Sequence, residues 1–174
     1  TAAGFTFTAS YLPSSATVSV KSSTAFAISW APEMAEGLTI GYASQDDESG
    51  SATTTGYNTK DTDENTMYIK YVYGPVTVGY QESEIDSTST NNDDDFESMG
   101  ITYQVNDDLT IGYTASSYDA GDMTSDQENS NLSASYTMGG MTLSVAMAEE
   151  ENRGGSTATA DDVEGYAINL AFAF

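Results

Sequence analysis

Along most of the chain a large apolar residue is followed by a small or polar one, with a period of two. Four segments share one motif: LTIGYASQ from Leu38, VTVGYQES from Val76, LTIGYTAS from Leu109 and MTLSVAMA from Met141. Each reads apolar, Thr, apolar, Gly or Ser, then Tyr or Val. Each follows a short turn signal: EMAEG, GP, NDD or GG. Before each turn lies another alternating run: TAFAISWA, TMYIKYVY, MGITYQV and SNLSASYTM. A period of two puts successive side chains on opposite faces of a strand, so the pattern predicts a chain of β-hairpins. With GFTFTASY at the start and EGYAINLAFAF at the end, the reading is all-β, with about ten antiparallel strands in a single domain over residues 1–174.

The two faces differ in size as well as polarity. One carries Phe5, Phe7, Phe26, Ile28, Trp30, Ile40, Tyr42, Ile69, Tyr71, Val78, Tyr80, Ile101, Tyr103, Ile111, Tyr113, Leu143 and Val145. The other carries Thr39, Gly41, Thr77, Gly79, Thr102, Gln104, Thr110, Gly112, Ser133 and Ser135, with Lys70 its main charge. A soluble sandwich that buried the large face would normally present Lys, Glu and Arg on the other. Small uncharged groups instead suit the wall of a water-filled barrel whose large face meets lipid, with Tyr and Trp near the interfaces. The expected fold is therefore an antiparallel transmembrane β-barrel, with a soluble sandwich or solenoid as the rival. The eleven small-face residues named here are the candidate pore lining.

Charge sharpens the picture. The 174 residues include 27 acids and 4 bases, a formal net charge of -23. Such a surface repels nucleic acid and attracts cations. Connections alternate between short turns and longer polar stretches, expected at 13–22, 46–65, 84–95, 119–129 and 149–163. By this reading 23 of the 27 acids gather at the long-loop end, and only Glu33, Glu36, Asp107 and Asp108 mark the other. No apolar run approaches the roughly 20 residues of a membrane helix, which has no bearing on strands.

In the last segment Tyr166, Ile168, Leu170, Phe172 and Phe174 alternate with Ala and Asn. It resembles the closing strand of Gram-negative outer-membrane proteins, in which a terminal Phe preceded by alternating apolar residues serves as the signal read by the barrel-assembly machinery. The LTIGY repeats, the GGMTLSVAMAEEE hairpin and the GYAINLAFAF ending extend that likeness to the whole chain. It resembles the C-terminal part of alphaproteobacterial general porins of the Rhodobacter type. The resemblance implies homotrimers of sixteen-stranded barrels in the outer membrane, in contact with bilayer lipid and lipopolysaccharide, that pass small hydrophilic solutes and ions. Sixteen strands at this spacing need roughly 270–290 residues. The chain is accordingly expected to be a C-terminal portion, the alternative being a complete ten-stranded barrel that acts as an adhesin or receptor. The family's inward-folded loop and basic cluster have no counterpart in this sequence.

Enzymatic chemistry finds little support. There is no His and no Cys, which removes the commonest general base and thiolate chemistry. No cofactor is expected, apart from calcium in the acidic loops. DTDEN and NNDDDF supply hard oxygen donors, so Asp61, Asp63, Asp93, Asp94 and Asp95 are the candidate ligands, without the spacing of an EF-hand loop.

Overall fold

The computed structural model describes residues 3–14, 21–48, 61–87, 93–121, 123–158 and 161–173. They form one ten-stranded sheet in simple sequential order, every neighbouring pair antiparallel. The strands are β1 (Phe5–Leu12), β2 (Ser23–Trp30), β3 (Leu38–Asp47), β4 (Thr62–Tyr73) and β5 (Val76–Ser87). Then follow β6 (Asp94–Gln104), β7 (Leu109–Ala120), β8 (Gln127–Met138), β9 (Met141–Glu151) and β10 (Val163–Phe172). This is the up-and-down meander that the hairpin repeat predicts. β1 and β10 do not pair with each other, so each has one edge free in this sheet. No helix among the described residues is long and apolar enough to cross a membrane.

Turn chemistry fixes the short end. Gly74 and Gly139 have φ of 55° and 60° and open the two-residue links Gly74-Pro75 and Gly139-Gly140. A positive φ at the first central residue alone is what a type II′ hairpin turn needs, and its twist matches that of the strands. Between β6 and β7, Asn106 Oδ1 accepts the backbone N–H groups of Asp108 and Leu109, each at 2.9 Å. This Asx-type turn closes the connection without glycine.

The strands reach further into the acidic stretches than the sequence suggested. β3 runs to Asp47, β5 to Ser87, β7 to Ala120 and β9 to Glu151, so the intervening connections shrink to 48–61, 88–93, 121–126 and 152–162. Clustered acids read as loop because they are poor strand formers. Here they alternate with Ser, Gln, Ile and Phe, and the ladder continues through them.

A soluble sheet hides its apolar face; this one does the reverse. Phe7, Met67, Met147 and Ile168 are at 67%, 48%, 66% and 67% exposure, and among the described residues the buried hydrophobic core is Ala120 alone. On β2, β4, β5 and β6 the small-residue face is the more enclosed and the large face the more open. On β9 the large stripe Met141, Leu143, Val145 and Met147 covers about 20 Å along the strand at roughly 3.4 Å per residue. That approaches the ~25 Å apolar band of outer-membrane barrels. Bilayer lipid is the partner that such a face requires, because water would oppose every exposed side chain of the stripe.

Candidate functional site

The small-residue face is a continuous surface. Directly paired residues of an antiparallel ladder share a face, so the registers generate rows across it. One row runs Thr39, Lys70, Gly79, Gly100, Thr114, Asn131, Ala148 and Gly165. The row toward the short turns includes Thr77, Thr102, Gly112 and Ser133, and the next includes Gln104, Thr110 and Ser135. All eleven residues nominated from sequence therefore lie on this one side. Hydroxyls tie neighbouring strands along it: Thr66 with Ser83 at 3.0 Å, Ser135 with Ser144 at 3.3 Å and Thr137 with Thr142 at 3.1 Å. Two shallow grooves cross the face, about 230 Å³ between Thr8 and Thr66 and about 260 Å³ between Thr114 and Gly165.

Tyr68 belongs to this side and the sequence reading passed over it. It pairs with Gly41, and a Cβ on Gly41 would overlap the Tyr68 ring. Glycine thus makes room for an aromatic ring laid across the neighbouring strand, the cross-strand device known as aromatic rescue. Parity was the available signal, since Tyr68 and Lys70 are two apart on β4. Its size made it look like a member of the large face.

Near the long-loop end the polarity of the sheet inverts. On the large face the apolar stripe gives way to Glu82 after Tyr80, Glu97 beyond Met99, Glu149 after Met147 and Glu164 before Tyr166. On the small face the same stretch brings in Ile85, Phe96, Tyr118 and Ala120; Phe96 pairs with Tyr118. Tyr118 donates to Asp94 Oδ2 at 3.1 Å. Acids outward and apolar groups inward is the arrangement of a sheet in water, so the inversion marks where the strands leave the apolar layer. At that boundary Tyr42 donates to Asn65 at 2.7 Å.

The acids are consequently sorted by face. Asp46, Asp63, Glu82, Glu84, Asp86, Asp95, Glu97, Asp119, Glu128, Glu149, Glu151 and Glu164 share the large face and are exposed. Asp47, Glu64, Asp94 and Glu150 share the small face and are half-buried. Repulsion within the outer belt raises the pKa of Glu84 above the ordinary carboxylate value, first through Asp86, then through desolvation, Asp95, Glu82 and Asp93.

The candidate calcium ligands do not converge. Asp63 stands on the outer face between Asp46 and Asp86, Asp95 between Glu84 and Asp119. Asp94 turns inward to Tyr118, and Asp93 accepts the Ser87 N–H at 3.0 Å. Asp61 precedes β4. Among the described residues no group of three or more acidic side chains is placed to hold a metal ion.

Two connections pack together beyond the inversion. Asn152 Nδ2 donates to the Asp126 carbonyl at 3.1 Å, the Gly154 N–H to Gln127 Oε1 at 2.9 Å, and the Asn152 N–H to Asp162 at 3.0 Å. Gly155 is buried against Met123, whose Cβ stands 2.6 Å from where a Gly155 Cβ would be. At the other extreme of the chain, Tyr166, Ile168, Leu170 and Phe172 point from β10 to the large face with 84%, 67%, 53% and 56% exposure. Phe174, the last member of the expected assembly signal, lies outside the described residues.

The sheet resembles solved barrels. Two mutants of the Rh. blastica porin each superpose with a TM-score of 0.62 at 17% identity, covering 92% of this chain and 48% of theirs. The chain thus spans about half the length of those porins. No curated protein matches it. The family model for Gram-negative porins matches residues 1–155. With an exposed apolar band outside, a small polar face inside and a family match over most of its length, the chain belongs to the Gram-negative porins of the bacterial outer membrane.

Proposed function

We propose that this chain forms the wall of an outer-membrane pore for passive diffusion of small hydrophilic solutes and ions, favouring cations. The observation that carries the reading is the pairing of an exposed apolar face with an opposite face of Thr, Ser and Gly. Such a sheet makes sense only with lipid on one side and water on the other, and with its two edges paired in a closed barrel. The cation bias rests on the four inner carboxylates toward the long-loop end, Asp47, Glu64, Asp94 and Glu150, of which Glu150 is partly offset by Arg153 at 3.6 Å. The outer belt contributes less, because the sheet and the screening of about 8–10 Å at ordinary ionic strength stand between it and the lumen.

Homotrimer formation, lipopolysaccharide contact and recognition of β10 by the assembly machinery belong to the same proposal. No catalytic role is assigned. Reconstitution of the folded protein in planar bilayers tests the pore, and reversal potentials under a KCl gradient test its bias. Discrete conductance steps with a cation-favouring potential at low salt are expected. A zero or anion-favouring potential would reject the bias, and silence from folded, inserted protein would reject the pore. In the second case the packing of residues 123–127 against 152–155 would favour a surface-binding barrel instead.

A further inference from the structure

We propose that Lys70 and Tyr68 form a contact for small anions on the inner wall, a donor-lined station inside a pore that otherwise favours cations. The inference rests on the pore reading and goes beyond it. Lys70 lies on the small-residue face, three residues from the short-turn end of β4, flanked directly by Thr39 on β3 and Gly79 on β5, with Gly100 one strand further. It is exposed and has no ion-pair partner among the described residues. Two residues along β4, the Tyr68 ring lies over Gly41, which sets it firmly on the same side. Gln81 pairs with Tyr68, and Thr77 lies diagonally across from Lys70. Cross-strand neighbours stand about 4.5–5.5 Å apart at Cβ and diagonal ones about 7–8 Å. An ammonium, a phenol, a hydroxyl and an amide thus share this side of the sheet; Gln81 Nε2 also donates to Ser83 Oγ at 3.2 Å, and Gly79 leaves the space beside Lys70 open.

Among the described residues no neighbouring strand cancels the charge of Lys70. No carboxylate occurs on this face in its own row or in either adjoining row from β3 through β8. Glu64 is six residues away on β4, about 20 Å at 3.4 Å per residue. Glu150 is five strands away, about 24 Å at 4.8 Å per strand. Both exceed the screening length of about 8–10 Å at ordinary salt. Glu82 is nearer, three residues along β5 from Gly79, or about 10 Å, and on the opposite side of the sheet. An anion that comes within contact of Lys70 therefore meets a net positive field and several donors, the combination that suits chloride, carboxylates and inorganic phosphate.

The test uses the whole protein in planar bilayers under a KCl gradient at low salt. Lys70→Gln should raise the potassium-to-chloride permeability ratio at least about fourfold, roughly twofold from each ion because one screened charge at about 5 Å acts with opposite sign on the two, and Lys70→Glu should raise it further. Lys70→Arg should leave the ratio near that of the parent protein. Glu82→Gln, on the other side of the sheet, should leave it unchanged. Inorganic phosphate added to the bath should reduce the chloride current of the parent protein and not that of Lys70→Gln. Conducting Lys70→Gln protein with an unaltered ratio, or equal phosphate inhibition of both proteins, would overturn the anion contact while leaving the pore intact. A parent protein that is folded and inserted and carries no current would overturn both.

Discussion

At the scale of single residues the small face is most constrained at Gly41. It is buried on the inner face because Tyr68 lies across it. Gly79, one strand beyond Lys70, has only a backbone carbonyl at 3.8 Å from an added Cβ. The two glycines look alike in the LTIGY and VTVGY repeats and differ in what leans on them. Gly41→Val should force the Tyr68 ring from its place and cost about 1–3 kcal/mol as an overpacking change. Gly79→Ala should be close to neutral. Thermal unfolding in detergent distinguishes them, and equal stabilities would refute the role given to the Tyr68 ring. Lys70 illustrates the same point about context: as a lone basic residue in a strand it reads as a charge facing water, and only the registers show that no carboxylate shares its three rows from β3 through β8, the first being Glu150 on β9.

At the scale of elements, the strands have two regimes. Within the apolar band the sheet is a lipid-facing wall; beyond it β5 and β6 are a ribbon in water, with Glu82, Glu84 and Asp86 beside Asp95 and Glu97 on the outer face. The neighbours facing Glu84 from β4 are Asn65 directly opposite and Asp63 and Met67 diagonally. Because repulsion raises the pKa of Glu84 in the folded ribbon, folding favours its protonated form relative to the unfolded chain. Its contribution to stability is then complete below the ordinary carboxylate pKa and is lost as pH rises through the elevated folded value. Lowering the pH from neutral should therefore slow amide exchange in the outer parts of β5 and β6, after correction for the intrinsic rate. Glu84→Gln should reduce that gain; an unchanged gain would show that Glu84 is not its source. A second prediction concerns β10. Its outward residues Tyr166 to Phe172 are fully committed to the lipid side, and deleting Phe174 should lower outer-membrane yield far more than deleting Ser156 from the preceding connection. Equal yields would remove the assembly role. The strand pattern was legible throughout the apolar band, because size and polarity alternate together there. The ribbon was not, since charge clusters mask alternation and large residues change sides at Ile85 and Phe96. The packing of Met123 on Gly155 left no mark in the sequence, because it depends on two connections that no local pattern links.

At the scale of the whole molecule, the net charge of -23 invites the idea of a uniformly negative mouth. Face assignment changes it. Twelve strand acids lie on the large face and four on the small one, so most of the strand carboxylates face away from the lumen of the proposed pore. The two sets have different work to do. The outer belt keeps the protruding ribbons hydrated and sets the height at which the wall leaves lipid, since carboxylates resist entry into hydrocarbon. In the proposed pore the inner four would face the solute path directly. Neutralising Glu82, Glu97, Glu128 and Glu149 together should thus change the reversal potential little, although it removes four charges. Neutralising Asp47, Glu64, Asp94 and Glu150 removes the same number and should move the potential toward zero or beyond, most clearly at low salt. Near-parental conductance and an unchanged folded spectrum are needed from both variants, so that a collapsed pore is not read as lost selectivity. Equal shifts from the two quartets would mean that the sheet does not shield the lumen and that total charge, rather than its placement, governs which ions pass.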